Sequence, residues 1–290
     1  GVTLYSLIIG ITLVALAAAI TLGGLKRVAS FAEKVVPFMV VLFILGSLVI
    51  VGVNYDRILP AFGSIFTTAF TPIAAAGGVA GATIKQVMVQ GFKRGVFSNE
   101  AGLGSSVMVH SNSNVKEPVK QGMWGIFEVF ADTMIVCTLT ALVVLTSGLY
   151  NLDTGVLAEG VTDATLVATA FDSVFSYGGI GSKFVAIAIL LFAFTTVLGW
   201  NHYGTKAWEY LFGVKSVKVY KVIHLVMILF GALLTSSLAW DISDTFNGLM
   251  MIPNLIGVIA LSGLVCKITK NYLDRQKGLD VEPMLSAFKD

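Results

Sequence analysis

Apolar residues fill long runs of the chain, and short segments between the runs carry most of the charged residues. A hydrocarbon core about 30 Å thick is crossed by roughly 20 mostly apolar residues in a helix. Lipid cannot satisfy an open strand edge, and the alternating ten-residue pattern of barrel strands does not occur here. The pattern predicts an all-α, polytopic membrane protein with about seven spans, at residues 2–22, 35–53, 79–109 (a broken run), 123–149, 184–208, 219–238 and 246–268.

The positive charges predict the orientation of these spans. Lys and Arg are enriched in short cytoplasmic loops, and most of them follow the odd-numbered runs. We therefore predict that residues 1–290 form one transmembrane domain with an outside N-terminal end and a cytoplasmic tail at 269–290. Two long outer connections, 54–78 and 150–182, carry regularly spaced aromatic residues, which favours short extracellular cap helices. Plain surface loops remain the alternative for both segments.

Composition narrows the function classes. Charged residues make up 12% of the chain, whereas a soluble domain is about one quarter charged. The net charge of +2 lacks the concentrated basic surface that nucleic-acid binding requires, so we predict no nucleic-acid partner. The three histidines are isolated and no hydrolase or zinc-protease motif has plausible partners, so we predict that the protein is not an enzyme. The lipid bilayer is its expected environment.

The third run is interrupted by residues that do not suit a transmembrane helix. Residues 91–106 include four glycines, a Ser-Asn-Glu triplet and two further serines. Glycine costs about 1 kcal/mol relative to alanine in a helix interior, and Ser and Asn compete for the hydrogen bonds of the backbone. We predict that the helix is unwound near residues 98–102.

An unwound segment at membrane depth offers ligands, because such backbone is tolerated only where it is buried in protein or lines a wet cavity. One half-helix end can receive a carboxylate, and the other end with its exposed carbonyls can receive an ammonium or a cation. This arrangement predicts a receptor for a zwitterion. Close packing of small residues against another helix is the alternative, but it leaves Asn99 and Glu100 unexplained.

Three acidic residues lie in or near the predicted membrane region. Glu100 is interpreted as a hydrogen-bonding brace for the broken helix, with a proton or cation relay as the alternative. Glu128 and Asp132 are four residues apart in the next span, so they are predicted to share a helix face. They either face an inner vestibule or contact an ion.

A second polar patch lies in the fifth run, at residues 192–201. The hydroxyls of Thr195 and Thr196, with the carbonyl of Phe192 one turn earlier, would supply three hard oxygens for a small cation. The alternative is that each hydroxyl bonds back to a carbonyl of its own helix. Spacing alone leaves both interpretations open.

These motifs carry a resemblance to a known family. Residues 94–105, Arg-Gly-Val-Phe-Ser-Asn-Glu-Ala-Gly-Leu-Gly-Ser, closely resemble the signature of the alanine or glycine:cation symporters, secondary transporters that couple small amino acids to sodium. Three later segments look like the same family: 117–122, 132–140, and Thr196 followed by Gly199-Trp200-Asn201. After Ser105 the sequence is more polar than the family's usual alanine-rich continuation.

The resemblance implies the fold of the neurotransmitter:sodium symporters, two inverted repeats of five helices in which helices 1 and 6 are broken. The chain would supply helices 4 to 10, with the third run as helix 6. By the same resemblance, Phe97, Ser98, Asn99 and Gly102 would contact the amino acid, and Thr196 and Trp200 would close the pocket around its side chain. Phe192, Thr195 and Thr196 would form the helix 8 part of a sodium site.

The function expected from this resemblance is sodium-coupled symport of alanine, glycine or a similar small amino acid by alternating access, in a prokaryotic plasma membrane. Sodium is then a co-transported ion and no catalytic cofactor is required. Helices 1 to 3 have no counterpart in the chain, which starts with Gly1, so we expect it to begin partway through a longer protein. The rival hypothesis is a non-transporting amino-acid sensor or structural subunit with the same fold. The residues alone do not distinguish sodium from a proton.

Overall fold

The computed structural model describes residues 4–23, 25–70, 84–152, 156–162 and 165–286. Within these ranges the regular structure is helical, apart from one isolated β-bridge between Tyr150 and Leu157. The α-helices in chain order are α1 (Leu4–Thr21), α2 (Leu25–Val53), α3 (Ile58–Phe70), α4 (Ile84–Ser98), α5 (Val107–His110), α6 (Pro118–Val129), α7 (Thr138–Thr146), α8 (Leu166–Val174), α9 (Ile180–Phe212), α10 (Val217–Leu233) and α11 (Ser236–Gln276).

Six helical segments are long and apolar enough to cross a bilayer among the described residues. Most of their large apolar side chains are exposed. Soluble proteins rarely expose apolar surface over so large an area. The chain is therefore a multi-pass, all-helical membrane protein. The segments are Leu4–Thr21, Arg27–Val53, Pro118–Thr146, Tyr177–Phe212, Val214–Leu233 and Ser236–Gln276.

The third predicted run does not reach spanning length in one helix. Residues 79–83 lie outside the described residues, and α4 contains only 15 residues before it ends at Ser98. The other six runs each correspond to one of the spanning segments.

The chain divides into two compact units, one of Gly1–Gly91 with Ile135–Leu233 and one of Phe92–Met134 with Leu234–Asp290. The core of the first unit centres on Phe171 of α8, which is fully buried and stacks on Phe43 of α2 and Phe184 of α9. A second cluster in this unit joins Ala17 of α1 to Phe194 and Leu198 of α9. Burial of these apolar side chains holds α1, α2, α8 and α9 together.

The second unit contains the end of α4, the unwound segment after it, helices α5 and α6, and α11. The sequence predicted a connection at residues 239–245, but the turn lies at Leu234 and Thr235 instead. Thr235 has extended backbone (ψ 148°), and α11 then runs for 41 residues. Asp241 and Asp244 therefore lie on a helix rather than in the predicted loop. Asp244 is tolerated there because Lys93 and Arg94 pair with it, at 3.2 and 3.1 Å.

The span Pro118–Thr146 is not one regular α-helix, although the sequence pattern predicted a single helix. Pro118 occupies the first turn of α6, where its missing N–H costs nothing. Residues Phe130–Cys137 then form a π-helical segment before α7. Such wide turns are rare and occur frequently at functional sites.

Helices also occur in both segments that were predicted to cap the outside. A 3₁₀ turn at Tyr55–Arg57 leads into α3, and Arg57 Nη1 donates to the carbonyl of Thr146 at 3.3 Å. The second segment contains α8. The extracellular location of both segments stays a prediction, and residues 71–78 of the first lie outside the described residues.

Candidate functional site

The predicted unwinding near residues 98–102 is present in the structure. Helix α4 ends at Ser98 and the next helix begins at Val107. Between them Glu100 has a φ of 49°, and Gly102 and Gly104 have φ of 82° and 80°. A left-handed backbone is strained for a residue with a side chain, so the two glycines allow this path and Glu100 needs other contacts to hold it.

The unwound segment packs against the middle of α11. The side-chain amide of Asn254 donates to the carbonyl of Gly102 at 2.9 Å. A Cβ atom added at Gly104 would lie 2.5 Å from Asn254 Oδ1. Leu103 and Ser105, on either side of Gly104, are 3% and 1% exposed. Asn254 therefore helps to hold the left-handed backbone of the unwound segment in place.

Glu100 contacts its own segment. Ser105 Oγ donates to Glu100 Oε2 at 2.6 Å, which closes a loop across the left-handed residues. A hydrogen bond to a carboxylate is stronger than one between neutral groups, so it offsets part of the backbone strain at Glu100. The contact is compatible with a brace, and this role of Glu100 stays a prediction.

Two consecutive residues of the π-helical segment contact two consecutive residues at the end of α4. Ser98 Oγ donates a hydrogen bond to Asp132 Oδ2. Thr133 Oγ1 donates to Asn99 Oδ1 at 2.8 Å. In a regular α-helix neighbouring residues point about 100° apart, so the wide turn helps both side chains to reach the break. The sequence pattern had identified Asp132 but had given Thr133 no role.

These two hydrogen bonds determine what the break can offer a ligand. Ser98 has used its single donor on Asp132, so its oxygen and the carboxylate remain as acceptors. The Asn99 side-chain oxygen accepts from Thr133. Its Nδ2 group makes no hydrogen bond to the described residues, so its two N–H donors can bind a ligand. The break therefore presents acceptors at Ser98 and Asp132 beside a donor at Asn99, which suits an ammonium and a carboxylate.

The helix termini at the break contribute less to the binding of a charged ligand than the sequence predicted. The C-terminal end of α4 carries the negative end of a 15-residue dipole, which favours a cation beside Ser98. Helix α5 has only four residues, too few for a useful dipole at its N-terminus. Helix α5 therefore does not supply the expected carboxylate site, and Asn99 offers a side-chain donor at the break.

Glu128 lies apart from the break. Its carboxylate is 3.4 Å from His110 Nε2, and its side chain is 61% exposed. His110 also pairs with Gln121, at 2.8 Å through Nδ1. Asp132, four residues later, contacts Ser98 instead, so the two acids do not act on one partner.

The residues predicted for sodium lie on the unbroken helix α9 of the first unit. Thr195 Oγ1 and Thr196 Oγ1 both donate to the carbonyl of Phe192, at 3.0 and 2.9 Å. Thr195 also donates to Leu191 at 2.9 Å. The hydroxyls thus bond back to their own helix, which was the alternative interpretation, and at the same time they hold three hard oxygens together.

Trp200 lies one turn after Thr196 on α9 and is partly buried. Its ring packs edge-on against Tyr203, with centroids 5.5 Å apart. Asn201, next to it, is 4% exposed. The predicted substrate residues thus fall in two groups, with Phe97, Ser98, Asn99 and Gly102 in the second unit and Thr196 and Trp200 in the first.

A charged and aromatic cluster precedes the break, and the sequence pattern missed it. Lys93 and Arg94 share the carboxylate of Asp244, which is only 10% exposed. The Arg94 guanidinium lies 4.3 Å over the ring of Trp240, and Phe97 packs on the same ring at 5.1 Å. Phe97 therefore supports the end of α4. The signal available was an acid in the short connection predicted between two apolar runs, since an acid near membrane depth is usually paired.

Comparison with known proteins decides the family. Residues 1–285 match the family model described as the sodium:alanine symporter family. The chain belongs to this family. The family is a class of symporters and not a class of enzymes.

Three relatives illustrate the match. The sodium/alanine symporter AgcS of Methanococcus maripaludis is 41% identical over 93% of this chain and 58% of its own length. A probable sodium/glutamine symporter, GlnT, of Bacillus subtilis is 36% identical over 98% and 56%. A sodium/proton-dependent alanine carrier of Bacillus sp. PS3 is 32% identical over 95% and 64%. The chain thus spans a little more than half the length of these relatives.

Proposed function

We propose that the protein acts in sodium-coupled secondary symport of small neutral amino acids, with alanine and glycine as the preferred substrates. The observation that carries this proposal is the unwound segment after α4, where acceptors at Ser98 and Asp132 adjoin a donor at Asn99. A free amino acid is a zwitterion whose two charges are separated by one carbon, so it matches adjacent acceptor and donor groups. Membership of the sodium:alanine symporter family supports the same substrate class.

In this proposal the substrate ammonium binds at Ser98 and Asp132, and its carboxylate accepts from Asn99. The backbone around Gly102 lines the site, because no side chain projects there. Phe97 packs beside the segment on Trp240. Thr196 and Trp200 contact the substrate side chain, and the bulk of Trp200 excludes larger amino acids by steric overlap.

Sodium is the co-transported ion in this proposal, with Phe192, Thr195 and Thr196 as ligands from α9. The two hydroxyls already converge on the Phe192 carbonyl, so a cation that replaces their hydrogen bonds meets three oxygens without rearrangement of the helix. In this proposal Glu100 braces the unwound segment through its hydrogen bond with Ser105.

Coupling follows if the ion and the amino acid both bind more tightly to one closed state. A ligand shifts a conformational equilibrium only by its difference in affinity between the states. We propose alternating access on a fold of two inverted five-helix repeats, of which this chain supplies helices 4 to 10. The protein would lie in the plasma membrane with its C-terminal tail in the cytoplasm.

Uptake of labelled alanine tests the proposal. The complete gene product that carries this sequence is reconstituted in proteoliposomes with an inward sodium gradient, and potassium replaces sodium in the control. We expect accumulation of alanine with sodium and background uptake with potassium. Binding of alanine by folded protein without uptake under either gradient would favour the sensor hypothesis, and equal uptake with both cations would exclude sodium coupling.

A further inference from the structure

Thr133 lies beside the proposed substrate site and contacts its residue Asn99. Its hydroxyl donates to Asn99 Oδ1 at 2.8 Å. The side-chain amide of asparagine can present either an acceptor oxygen or a donor NH₂ group to a ligand. The bond from Thr133 fixes the oxygen toward the π-helical segment, so the NH₂ group is the one that remains for a ligand.

We propose that Thr133 is a positioning residue that sets the amide orientation of Asn99 and thereby selects substrates with a free carboxylate. The inference rests on the proposed function, because it assigns the carboxylate of the amino acid to Asn99. It adds a specificity determinant that does not itself touch the substrate.

The neighbouring bond supports this assignment. Ser98 donates to Asp132, so the residue before Asn99 is held as an acceptor while Asn99 is held as a donor. Consecutive residues of the π-helical segment therefore fix opposite hydrogen-bonding roles on consecutive residues of the break. A carboxylate accepts a stronger hydrogen bond than a neutral amide carbonyl does, so a fixed donor at Asn99 favours alanine over alaninamide.

The test compares three variants of the complete, reconstituted protein. Thr133→Val removes the hydroxyl and keeps the shape, and Thr133→Ser keeps the hydroxyl. Thr140→Val is the matched control, because the Thr140 hydroxyl bonds only to the Val136 carbonyl of its own span among the bonds described, at 2.8 Å. For each protein we measure KM and maximal rate of sodium-driven alanine uptake, and the inhibition of this uptake by alaninamide.

We expect Thr133→Val to raise the KM for alanine about tenfold, the loss of one charge-assisted hydrogen bond, with the maximal rate within about twofold. Its preference for alanine over alaninamide should fall by a similar factor, because the freed Asn99 amide can rotate and accept as well as donate. Thr133→Ser and Thr140→Val should behave like the unmodified protein. An unchanged preference in Thr133→Val, or a loss of preference in Thr133→Ser, would overturn the inference.

Heat protection of the purified protein separates this inference from the proposed function. Alanine should raise the unfolding temperature more than alaninamide does, and Thr133→Val should abolish the difference. If uptake fails but this Thr133-dependent difference persists, the transport proposal falls and the inference stands. If neither ligand protects, both fall. Thr133→Ala replaces the valine variant if the latter does not fold.

Discussion

At the scale of single residues, Ser98 and Asn99 at the break take their hydrogen-bonding roles from Asp132 and Thr133. Helix-breaking glycines beside Ser98 and Asn99 predict unwinding because propensity and backbone hydrogen bonding are local properties. The bonds to Asp132 and Thr133 join residues 34 positions apart, and no local pattern specifies which distant side chain meets which. The donor character of Asn99 therefore emerges only from the structure.

Replacement of Asn99 tests its assignment to the substrate carboxylate. Asn99→Ala removes a donor to a charged group, so we expect the KM for alanine to rise between about tenfold and a hundredfold while the protein stays folded. Asn112→Ala is the control, because the exposed Asn112 amide donates to the Met108 carbonyl, at 2.7 Å. Uptake kinetics in proteoliposomes provide the measurement. An unchanged KM in Asn99→Ala would remove this residue from the site.

Trp200 is expected to limit the size of the substrate side chain. In Trp200→Ala the excluded volume disappears, so leucine and phenylalanine should inhibit labelled alanine uptake at least about tenfold better than they do in the unmodified protein. Trp124→Ala provides the control, since Trp124 is 59% exposed on α6 and packs on Phe127. Unchanged selectivity in the competition assay would contradict the role of Trp200.

At the scale of elements, hydropathy identified six of the spanning helices, but their ends and irregularities depend on tertiary contacts. The start of α11 at Ser236 was missed because Asp241 and Asp244 were interpreted as loop residues. The pairing of Asp244 with Lys93 and Arg94 is what makes a helix possible there. The π-helical segment at Phe130–Cys137 was missed because hydropathy registers apolar residues and not whether a backbone bond joins residues four or five apart.

The path of the unwound segment depends on Gly104. In Gly104→Ala the new methyl group meets Asn254 Oδ1 at 2.5 Å in a backbone with a φ of 80°, so we expect a loss of about 2 kcal/mol in the free energy of unfolding. Gly122→Ala is the contrast, because the α6 position is helical and open within 4 Å. It should be neutral or stabilise by about 0.5–1 kcal/mol. Thermal unfolding in detergent distinguishes them, and equal unfolding temperatures would contradict this account.

At the scale of the whole molecule, the family could be predicted from the motif at residues 94–105, and the fold class from hydropathy. The division into two compact units could not be predicted, because it reflects which helices pack together rather than how apolar they are. The second unit also includes a contact far along the chain. The Arg275 guanidinium donates to Glu117 Oε2 at 2.7 Å, and the backbone N–H of Ser286 donates to the Lys116 carbonyl at 2.7 Å.

The Glu117 contact predicts a pH dependence of stability. The hydrogen bond from Arg275 holds the pKa of Glu117 below its ordinary value of 4.5. A lowered pKa in the folded state gives stability that is present above the ordinary pKa and is lost as the pH falls through the lowered one. Thermal unfolding should therefore show Glu117→Gln less stable than the unmodified protein above about pH 5, with the difference disappearing at lower pH.

Glu209→Gln is the matched control for this titration. Glu209 pairs with Lys206 three residues earlier, at 3.2 Å and with both side chains partly exposed, and such pairs contribute little to stability. We expect a small effect that is similar at each pH. A Glu117→Gln effect that does not change with pH would contradict the ion-pair explanation.

The central claim is that amino-acid and sodium movement are coupled through the unwound segment. Labelled sodium entry into proteoliposomes, driven only by an inward alanine gradient, tests it most directly when the complete protein is compared with its Asn99→Ala variant. The account predicts alanine-dependent sodium entry in the unmodified protein and its loss in the variant at the same alanine concentration. Sodium entry that does not depend on the alanine gradient, or that is unchanged in Asn99→Ala, would contradict coupling through the unwound segment.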